Sequence, residues 1–263
     1  MNKFVVNATN ANLFYAYFVP IVSFQWKRMG YFPVTLLLGT EAEWSVLPKT
    51  KFVYDHIRQQ STIIPIARIS GFKDSTIIQT SRIFVSAFEF APDDYILTSD
   101  ADMIPLSKQW FNQQDFNKNL HIFGADAYAR KRFPICYLGA NAATWRGMMG
   151  IHANSIQAAM GAMDRGRDNW NYDELLVTEK ILGNPIYHTS CQLIDRGWTS
   201  GRAHRRLDRD AWDWHNQTDL IDAHSPRPGY IHWATLEPVF KAYCTEDDFN
   251  YLKQYTESFN KIP

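Results

Sequence analysis

Short apolar blocks alternate with stretches of helical periodicity along the first half of the chain. The block Phe4–Ala8 is typical of a buried strand. A helix is predicted next, because four side chains recur at helical spacing: Tyr17, Ile21, Phe24 and Arg28. The chain therefore opens with one strand and one helix, the first unit of an alternating α/β pattern.

The alternation continues up to residue 97. Two further strands are predicted at Phe32–Leu38 and at Thr62–Ile69. A helix is predicted from Ser75 to Phe90, because Asp74-Ser75 is a good helix N-cap and the apolar residues that follow share one face. A fourth, short apolar strand is predicted at Tyr95–Leu97.

Downstream of the fourth strand the pattern is less regular. A strand is predicted at Leu120–Gly124, and the segment Tyr137–Trp145, rich in Gly and Ala, is predicted to be extended. Helices are predicted at Ser155–Met163 and Asp173–Leu182, and loops and short elements beyond Gly183. The pattern predicts an α/β protein with a mostly parallel central sheet flanked by helices and with a loop-rich C-terminal extension.

Composition narrows the choice of partner. Hydrophobic residues make up 46% and charged residues 21% of the chain, which is ordinary for a globular protein with a core. The 27 basic and 27 acidic residues cancel, so no overall field favours nucleic acid or an anionic membrane. The three separated cysteines, the absence of a signal-peptide-like start and the absence of a membrane-length apolar run lead us to expect a soluble, cytoplasmic protein.

Two aspartates follow the fourth strand directly. Asp100 and Asp102 are separated by Ala101, so in an extended backbone both carboxylates project to the same side, about 7 Å apart. Mg²⁺ and Mn²⁺ prefer carboxylate, phosphate and water oxygens. In open parallel sheets, ligands bind beyond the carboxyl ends of the strands. This position favours a cation shared with a nucleotide diphosphate over two solvated loop acids.

The stretch Asp94–Pro105 (DYILTSDADMIP) resembles the GT-A glycosyltransferases, a Rossmann-like fold with a D-x-D motif after its fourth strand. Only the acidic motif is specific, but the predicted elements over residues 4–182 agree in layout. The resemblance implies a single domain over residues 1–263. Residues 1–126 would bind the nucleotide sugar, and residues 127–263 would bind the acceptor and carry a C-terminal metal and lid segment.

The resemblance also implies the reaction and its ligands. A sugar would pass from a nucleotide-diphosphate donor, with UDP preferred, to a hydroxyl of a glycan or other acceptor. The implied cofactor is Mn²⁺ or Mg²⁺, with Asp102 as a direct ligand and Asp100 shared between the metal and the ribose or sugar hydroxyls. The other donor-binding residues implied are Asn7, Ala8, Thr9, Asn10, Arg68, Lys73, Arg82 and Ala101. The alternative for Arg82 is a solvated helix face.

Members of this family often add a histidine ligand near the C-terminus, followed by a basic residue that approaches the diphosphate. The resemblance points to His232, in a short strand-like segment after a Pro/Gly turn, and to Lys241. Imidazole together with carboxylates would favour Mn²⁺. The alternative is that His232 is a packed or surface residue.

A second acidic pair lies in Trp170–Glu174, directly before a predicted helix. Its position matches the acceptor-base motif of inverting GT-A enzymes, so Asp173 is predicted to be the general base, with Glu174 as the reserve candidate. The helix N-terminus is expected to keep this carboxylate ionised. Inversion of the anomeric centre is therefore predicted. The alternative is an ordinary pair of acids in the first turn of a helix.

A dense basic cluster lies at Gly201–Arg206, with Arg209 close behind. Such a run is usually a solvated loop. The alternative is a lid that closes over the diphosphate, because arginine side chains fit phosphate oxygens.

Two other functions compete with sugar transfer. Asp100–Ile104 nearly fits the D-x-D-x-[TV] motif of haloacid-dehalogenase-like phosphatases, but that family carries the motif on its first strand and here at least three strands precede it. A non-catalytic sugar- or nucleotide-binding module would need the metal site but no acceptor base.

Overall fold

A computed structural model describes residues 1–152, 155–161, 171–197, 206–209, 212 and 219–263. The strands of this part of the chain are β1 (Lys3–Thr9), β2 (Phe32–Leu38), β3 (Thr62–Ile66), β4 (Tyr95–Thr98), β5 (Met103–Pro105), β6 (Leu120–Phe123), β7 (Leu138–Asn141), β8 (Cys191–Ile194), β9 (Arg206–Leu207) and β10 (Asp222–His224). Its helices are α1 (Leu13–Ala16), α2 (Val19–Met29), α3 (Glu41–Trp44), α4 (Pro48–Gln60), α5 (Asp74–Ser81), α6 (Lys108–Phe111), α7 (Ala142–Met149), α8 (Ile156–Gly161), α9 (Tyr172–Leu182), α10 (Pro185–Thr189), α11 (Trp233–Tyr243) and α12 (Glu246–Lys261).

Seven strands form the central sheet in the order β3-β2-β1-β4-β7-β6-β8. Strands β3, β2, β1 and β4 are parallel, and so are β6 and β8. Strand β7 is antiparallel to both of its neighbours, β4 and β6. The predicted α/β class with a mostly parallel sheet is confirmed.

A second, three-stranded sheet in the order β5-β10-β9 lies beside the carboxyl end of β4. Strands β5 and β10 are antiparallel, with Met103 opposite His224 and Pro105 opposite Asp222. The backbone N–H of Ser225 also donates to the carbonyl of Asp102, over 3.0 Å. The C-terminal part of the chain is thereby fixed against the D-x-D segment.

Apolar side chains cover both faces of the central sheet. One layer contains Trp26 of α2 and the aromatic residues of α12, and the other contains Ile83 and Trp145. Tyr17 packs edge-on against Phe259, and its hydroxyl is 2.7 Å from the hydroxyl of Thr256. The C-terminal helix therefore belongs to the main core. No helix of the described residues is long and apolar enough to cross a membrane.

The structure corrects several predicted elements. The third strand ends at Ile66, and the helix predicted up to Phe90 is α5 followed by a 3-10 segment, Arg82–Ala87. The prediction that Tyr137–Trp145 is extended was wrong outside Leu138–Asn141, because Tyr137 ends a 3-10 segment and α7 begins at Ala142. The side chain of Asn141 accepts the N–H of Thr144 over 2.7 Å, which caps α7 and starts a helix there.

The C-terminal region also differs from its prediction. It ends in the two helices α11 and α12. The side chain of Thr245 caps α12, and Leu252, Tyr255 and Phe259 bury one of its faces. His232 does not lie in a strand, because it follows a 3-10 turn and is the N-cap residue of α11.

Candidate active site

A cavity of about 370 Å³ lies where β1 and β4 end and α9 begins. Both carboxylate pairs predicted from the sequence line it, together with several of the predicted donor residues. These lining residues are Ala8, Thr9, Asn10, Arg82, Asp100, Ala101, Asp102, Asp173 and Glu174. The structure therefore brings together two acidic motifs that are about seventy residues apart in the chain.

The D-x-D segment is held by the end of β4. All four residues of this strand are buried, and the N–H of Ser99 still donates to the carbonyl of Val6 in β1. The indole N–H of Trp26 donates to the Ser99 hydroxyl over 3.0 Å. Because these contacts fix the backbone just before Asp100, the two carboxylates have a defined position at the mouth of the cavity.

Two arginines and one histidine converge on one oxygen of Asp102. Its Oδ2 atom lies 3.1 Å from Nη2 of Arg209, 3.4 Å from Nε of Arg227 and 3.6 Å from Nε2 of His224. Asp102 is only 4% exposed, and this burial raises the pKa of its carboxyl, although His224 and Arg227 act in the opposite direction. Asp102 is thus a buried carboxylate that its positive neighbours stabilise only in part.

The buried side chain of Arg82 joins the two acidic motifs. Its Nη1 atom donates to the Asp100 carboxylate and to the carbonyl of Ser99, and its Nη2 atom donates to Oδ2 of Asp173 over 3.1 Å. Burial opposes its charge, but Asp100 and Asp173 together raise its pKa. Arg82 is therefore an internal cross-link between β4 and α9, and the alternative of a solvated helix face is wrong.

The second acidic pair lies in the first turn of α9. Both oxygens of Asp173 are engaged, since Oδ1 accepts the N–H of Glu174 over 2.8 Å and Oδ2 accepts from Arg82. Burial raises the pKa of Asp173, and the charge of Arg82 opposes this effect. The helix N-terminus does favour the anion, but burial has the larger effect here.

Glu174 has a different environment. Its Oε2 atom lies 2.9 Å from Nε of Arg132, but the alignment is poor and neither atom has a hydrogen-bond partner among the described residues. Burial raises the pKa of Glu174 to about 7, and the charge of Arg132 limits the increase. A carboxyl group with this pKa can accept or donate a proton near neutral pH.

Several predicted site residues do not line the cavity. Asn7 is buried below it and donates to the hydroxyl of Ser23 over 3.3 Å. Arg68 is exposed and forms ion pairs with acidic side chains, one of them Glu43 at 2.6 Å. Lys73 precedes α5 as its N-cap residue.

The two predicted C-terminal residues are also outside the cavity. His232 occupies the N-cap position of α11, and Lys241 is an exposed residue of the same helix that pairs with Glu237 at 3.1 Å. The structure brings His224 and Arg227 to the cavity instead, along with Asn12 and Tyr15 after β1. The local sequence signal for His224 was the apolar pair Leu220-Ile221, which indicates a short buried strand just before it.

The basic cluster is only partly described. Trp170 and residues 201–205 lie outside the described residues. Arg206 belongs to β9 and donates to the buried carboxylate of Asp222, whereas Arg209 contacts Asp102 in the cavity. The two arginines at the end of the cluster therefore have different roles.

Asp100, Asp102 and His224 are the side chains that fit a divalent cation by their chemistry, because carboxylates and imidazole suit Mn²⁺. Among the described residues, no three such side chains are already grouped closely enough to hold an ion. The arrangement explains this, since Arg82 holds Asp100 while Arg209 and Arg227 face Asp102. The chemistry of the donor set fits a divalent cation, and a cation on Asp102 would have to displace Arg209 and Arg227.

No protein-family model matches the sequence, and the curated proteins give no match either. Solved structures do match. One is the galactosyltransferase LgtC in complex with donor and acceptor sugar analogs, with 13% identity over 99% of this chain and 97% of that chain and a TM-score of 0.50. Another is the glycosyltransferase GlyE of Streptococcus pneumoniae TIGR4, with 12% identity over 98% of this chain and 64% of that chain and a TM-score of 0.50. The chain has the fold of these glycosyltransferases, and the GT-A fold expected from the sequence is confirmed.

Proposed function

We propose that this protein transfers a sugar from a nucleotide-diphosphate donor, preferably a UDP-sugar, to a hydroxyl acceptor with the help of Mn²⁺ or Mg²⁺. The observation that carries the proposal is the shared cavity, which contains a cation-type carboxylate pair at the end of β4 and a second carboxylate pair at the start of α9. A donor bound at the first pair would present its sugar to the second pair. LgtC and GlyE, which share the fold, are glycosyltransferases.

The donor nucleotide is assigned to the end of β1. Thr9, Asn10, Asn12 and Tyr15 line the cavity there. For the diphosphate we propose Arg209 and Arg227 in place of Lys241, because both guanidinium groups face the D-x-D motif. In this proposal the donor binds mainly to residues 1–126, and residues 127–263 supply the guanidinium groups that face its diphosphate.

Asp100, Asp102 and His224 are proposed as the metal ligands, with His224 in place of His232. When bound, the cation would stabilise the negative charge that develops on the departing diphosphate. His224 is suited to this role because the β5-β10 pairing places it opposite Met103, one residue after Asp102.

Glu174 is proposed as the general base in preference to Asp173. Both oxygens of Asp173 already accept hydrogen bonds, one of them from a buried arginine, whereas Glu174 forms an ion pair with the partly exposed Arg132 and has a pKa of about 7. A base that accepts the acceptor's proton supports a single displacement with inversion. Inversion stays a prediction, which NMR of the first-formed product tests: a product with the donor's anomeric configuration contradicts it.

The decisive experiment is incubation of the protein with a panel of nucleotide sugars, with and without Mn²⁺. Release of nucleoside diphosphate together with free or transferred sugar, dependent on the cation, supports the proposal. Inorganic phosphate released from a simple phosphate monoester would favour the phosphatase. If the protein binds nucleotide sugars saturably but turns none of them over with any acceptor tested, the result would favour a non-catalytic binding module.

A further inference from the structure

Two guanidinium groups and one imidazole lie close to one oxygen of Asp102, more neighbours than that oxygen can bind together with a metal ion. Arg209, Arg227 and His224 all lie within 3.6 Å of its Oδ2 atom. Asp102 is also the residue whose position after β4 suits it to bind a divalent cation. A cation and the guanidinium groups therefore compete for the same oxygen.

The competition is strong because the oxygen is buried. Like charges a few ångströms apart repel each other more strongly in a protein than in water, and the repulsion doubles when one of them is divalent. A divalent cation on Asp102 would thus repel Arg209 and Arg227 from their present positions. Both side chains keep more than a tenth of their surface exposed, so they have room to turn.

Each arginine has donors available for another partner. The Nε atom of Arg209 is buried and has no hydrogen-bond partner among the described residues. Arg227 lies over the ring of Tyr15, with its guanidinium carbon 4.3 Å from the ring centroid. Guanidinium groups carry five N–H donors in a planar fork that matches phosphate oxygens. Both side chains also line the cavity in which the donor is proposed to bind.

We propose that Arg209 and Arg227 exchange partners when the donor binds. They hold Asp102 in the donor-free protein, and they turn to the diphosphate when a divalent cation takes Asp102. The inference rests on the proposed function, because it requires a nucleotide-diphosphate ligand. Its consequence is that the cation and the nucleotide each strengthen the binding of the other, since the diphosphate accepts the charges that the cation displaces.

The test measures Mn²⁺ binding by calorimetry, first without nucleotide and then with UDP as the probe. In Arg209→Met the competing charge is absent, so Mn²⁺ alone is expected to bind about five- to tenfold more tightly than to the unaltered protein. UDP at saturating Mn²⁺ is expected to bind about tenfold more weakly, because a diphosphate contact is lost. Arg227→Met is expected to shift both affinities in the same directions.

Two further variants serve as controls. Arg209→Lys keeps a competing charge, so its affinity for Mn²⁺ alone is expected to stay close to that of the unaltered protein. Arg58→Met removes an exposed arginine that pairs with Glu41 outside the cavity, and it is expected to leave both affinities unchanged. If Arg209→Met does not fold, as judged by thermal unfolding, Arg227→Met carries the same test.

The inference is overturned if the methionine variants bind Mn²⁺ no more tightly than the unaltered protein, or if they bind UDP equally well. Failure of the proposed function gives a different result. In that case the unaltered protein itself would bind neither UDP nor any other nucleoside diphosphate in the presence of Mn²⁺.

Discussion

Asp102 and Asp222 are both buried aspartates that face two arginines, yet their environments differ. Asp222 accepts hydrogen bonds from two nitrogens of Arg196 and from two nitrogens of Arg206, three of them over 3.0 to 3.1 Å. Burial raises the pKa of Asp222, but the two arginines outweigh it and hold the pKa at about 2. The guanidinium of Arg196 also lies 4.8 Å from the ring centroid of Trp110, which fixes it in the core.

Asp102 has the same kinds of neighbours without the paired geometry. Among the side chains of the described residues, Arg209 is the one that donates a hydrogen bond to the Asp102 carboxylate, and the net effect of the surroundings is to raise the pKa of Asp102. The number of nearby arginines therefore does not decide how a buried carboxylate behaves. The paired hydrogen bonds decide it: they keep the buried Asp222 carboxylate ionised, whereas burial outweighs the arginines around Asp102 and raises its pKa.

The largest effect is expected for Asp222→Asn. Loss of the charge leaves two buried guanidinium groups without their counter-ion, which should lower the free energy of unfolding by about 3–5 kcal/mol. Urea unfolding at pH 7 measures this. In the unaltered protein, the stability due to Asp222 is fully present above the usual carboxyl pKa of about 3.9 and is lost as the pH falls towards about 2. A variant as stable as the unaltered protein would contradict the structural role.

The opposite pattern is expected for Asp102→Asn. Because the folded protein raises the pKa of Asp102, its ionised form costs stability at pH 7, so the neutral amide should leave the melting temperature unchanged or raise it. Metal-dependent activity should instead fall by about 10²- to 10³-fold. Asp55→Asn, which alters an exposed aspartate paired with Lys51, is the matched control. Full activity together with a lowered melting temperature would contradict this prediction, because Asp102 would then stabilise the fold as Asp222 does.

The parts of the site that follow from local sequence could be predicted. Asp100 and Asp102 closely follow an apolar block, and Asp173 and Glu174 lie at the start of a helical one, so the ends of both elements can be recognised in the sequence. The cross-link through Arg82 was visible only as a basic residue between two strands. Its buried position depends on the 3-10 segment that replaces the end of the predicted helix.

The long-range contacts could not be predicted in the same way. His224 reaches Asp102 because β10 pairs with β5, which lies more than a hundred residues earlier, and no local pattern indicates such a pairing. His232 lies in a more strand-like sequence segment than His224, but in the structure it occupies the N-cap position of α11. Arg68 and Lys241 have the charge required of donor ligands, but nearby acidic residues hold them at the surface.

The two histidines allow the metal assignment to be tested directly. His224→Ala should weaken Mn²⁺ binding in the presence of UDP by about tenfold, a loss typical of groups that hold or support a ligand set. His232→Ala should bind Mn²⁺ like the unaltered protein, because its side chain does not line the cavity. Calorimetric measurement of Mn²⁺ binding to both variants in the presence of UDP provides the test. The reverse result would restore His232 as the ligand and remove His224 from the site.

The environment of Glu174 is intermediate between those of Asp102 and Asp222. One arginine lies close to Glu174, but the two side chains form no paired hydrogen bonds. Its pKa of about 7 predicts that activity increases as the pH rises through neutrality, since a general base must be ionised. The charge of Arg132 lowers this pKa, so Arg132→Met should move the rising limb of the pH profile to higher pH.

The expected change is small, because both partners keep some contact with water. Exposed and half-exposed ion pairs contribute about 0.2–1 kcal/mol, and Glu174 is about half ionised at pH 7, so the rate of Arg132→Met at pH 7 should fall by up to about threefold. The rate on the alkaline plateau should not change, because the ionised Glu174 is then present in both proteins. Arg130→Met is the matched control, since Arg130 belongs to the same loop but pairs with the exposed Asp195 at 2.5 Å. A uniform loss of rate at every pH would show instead that Arg132 acts on the position of Glu174 or of the acceptor and not on the protonation of Glu174.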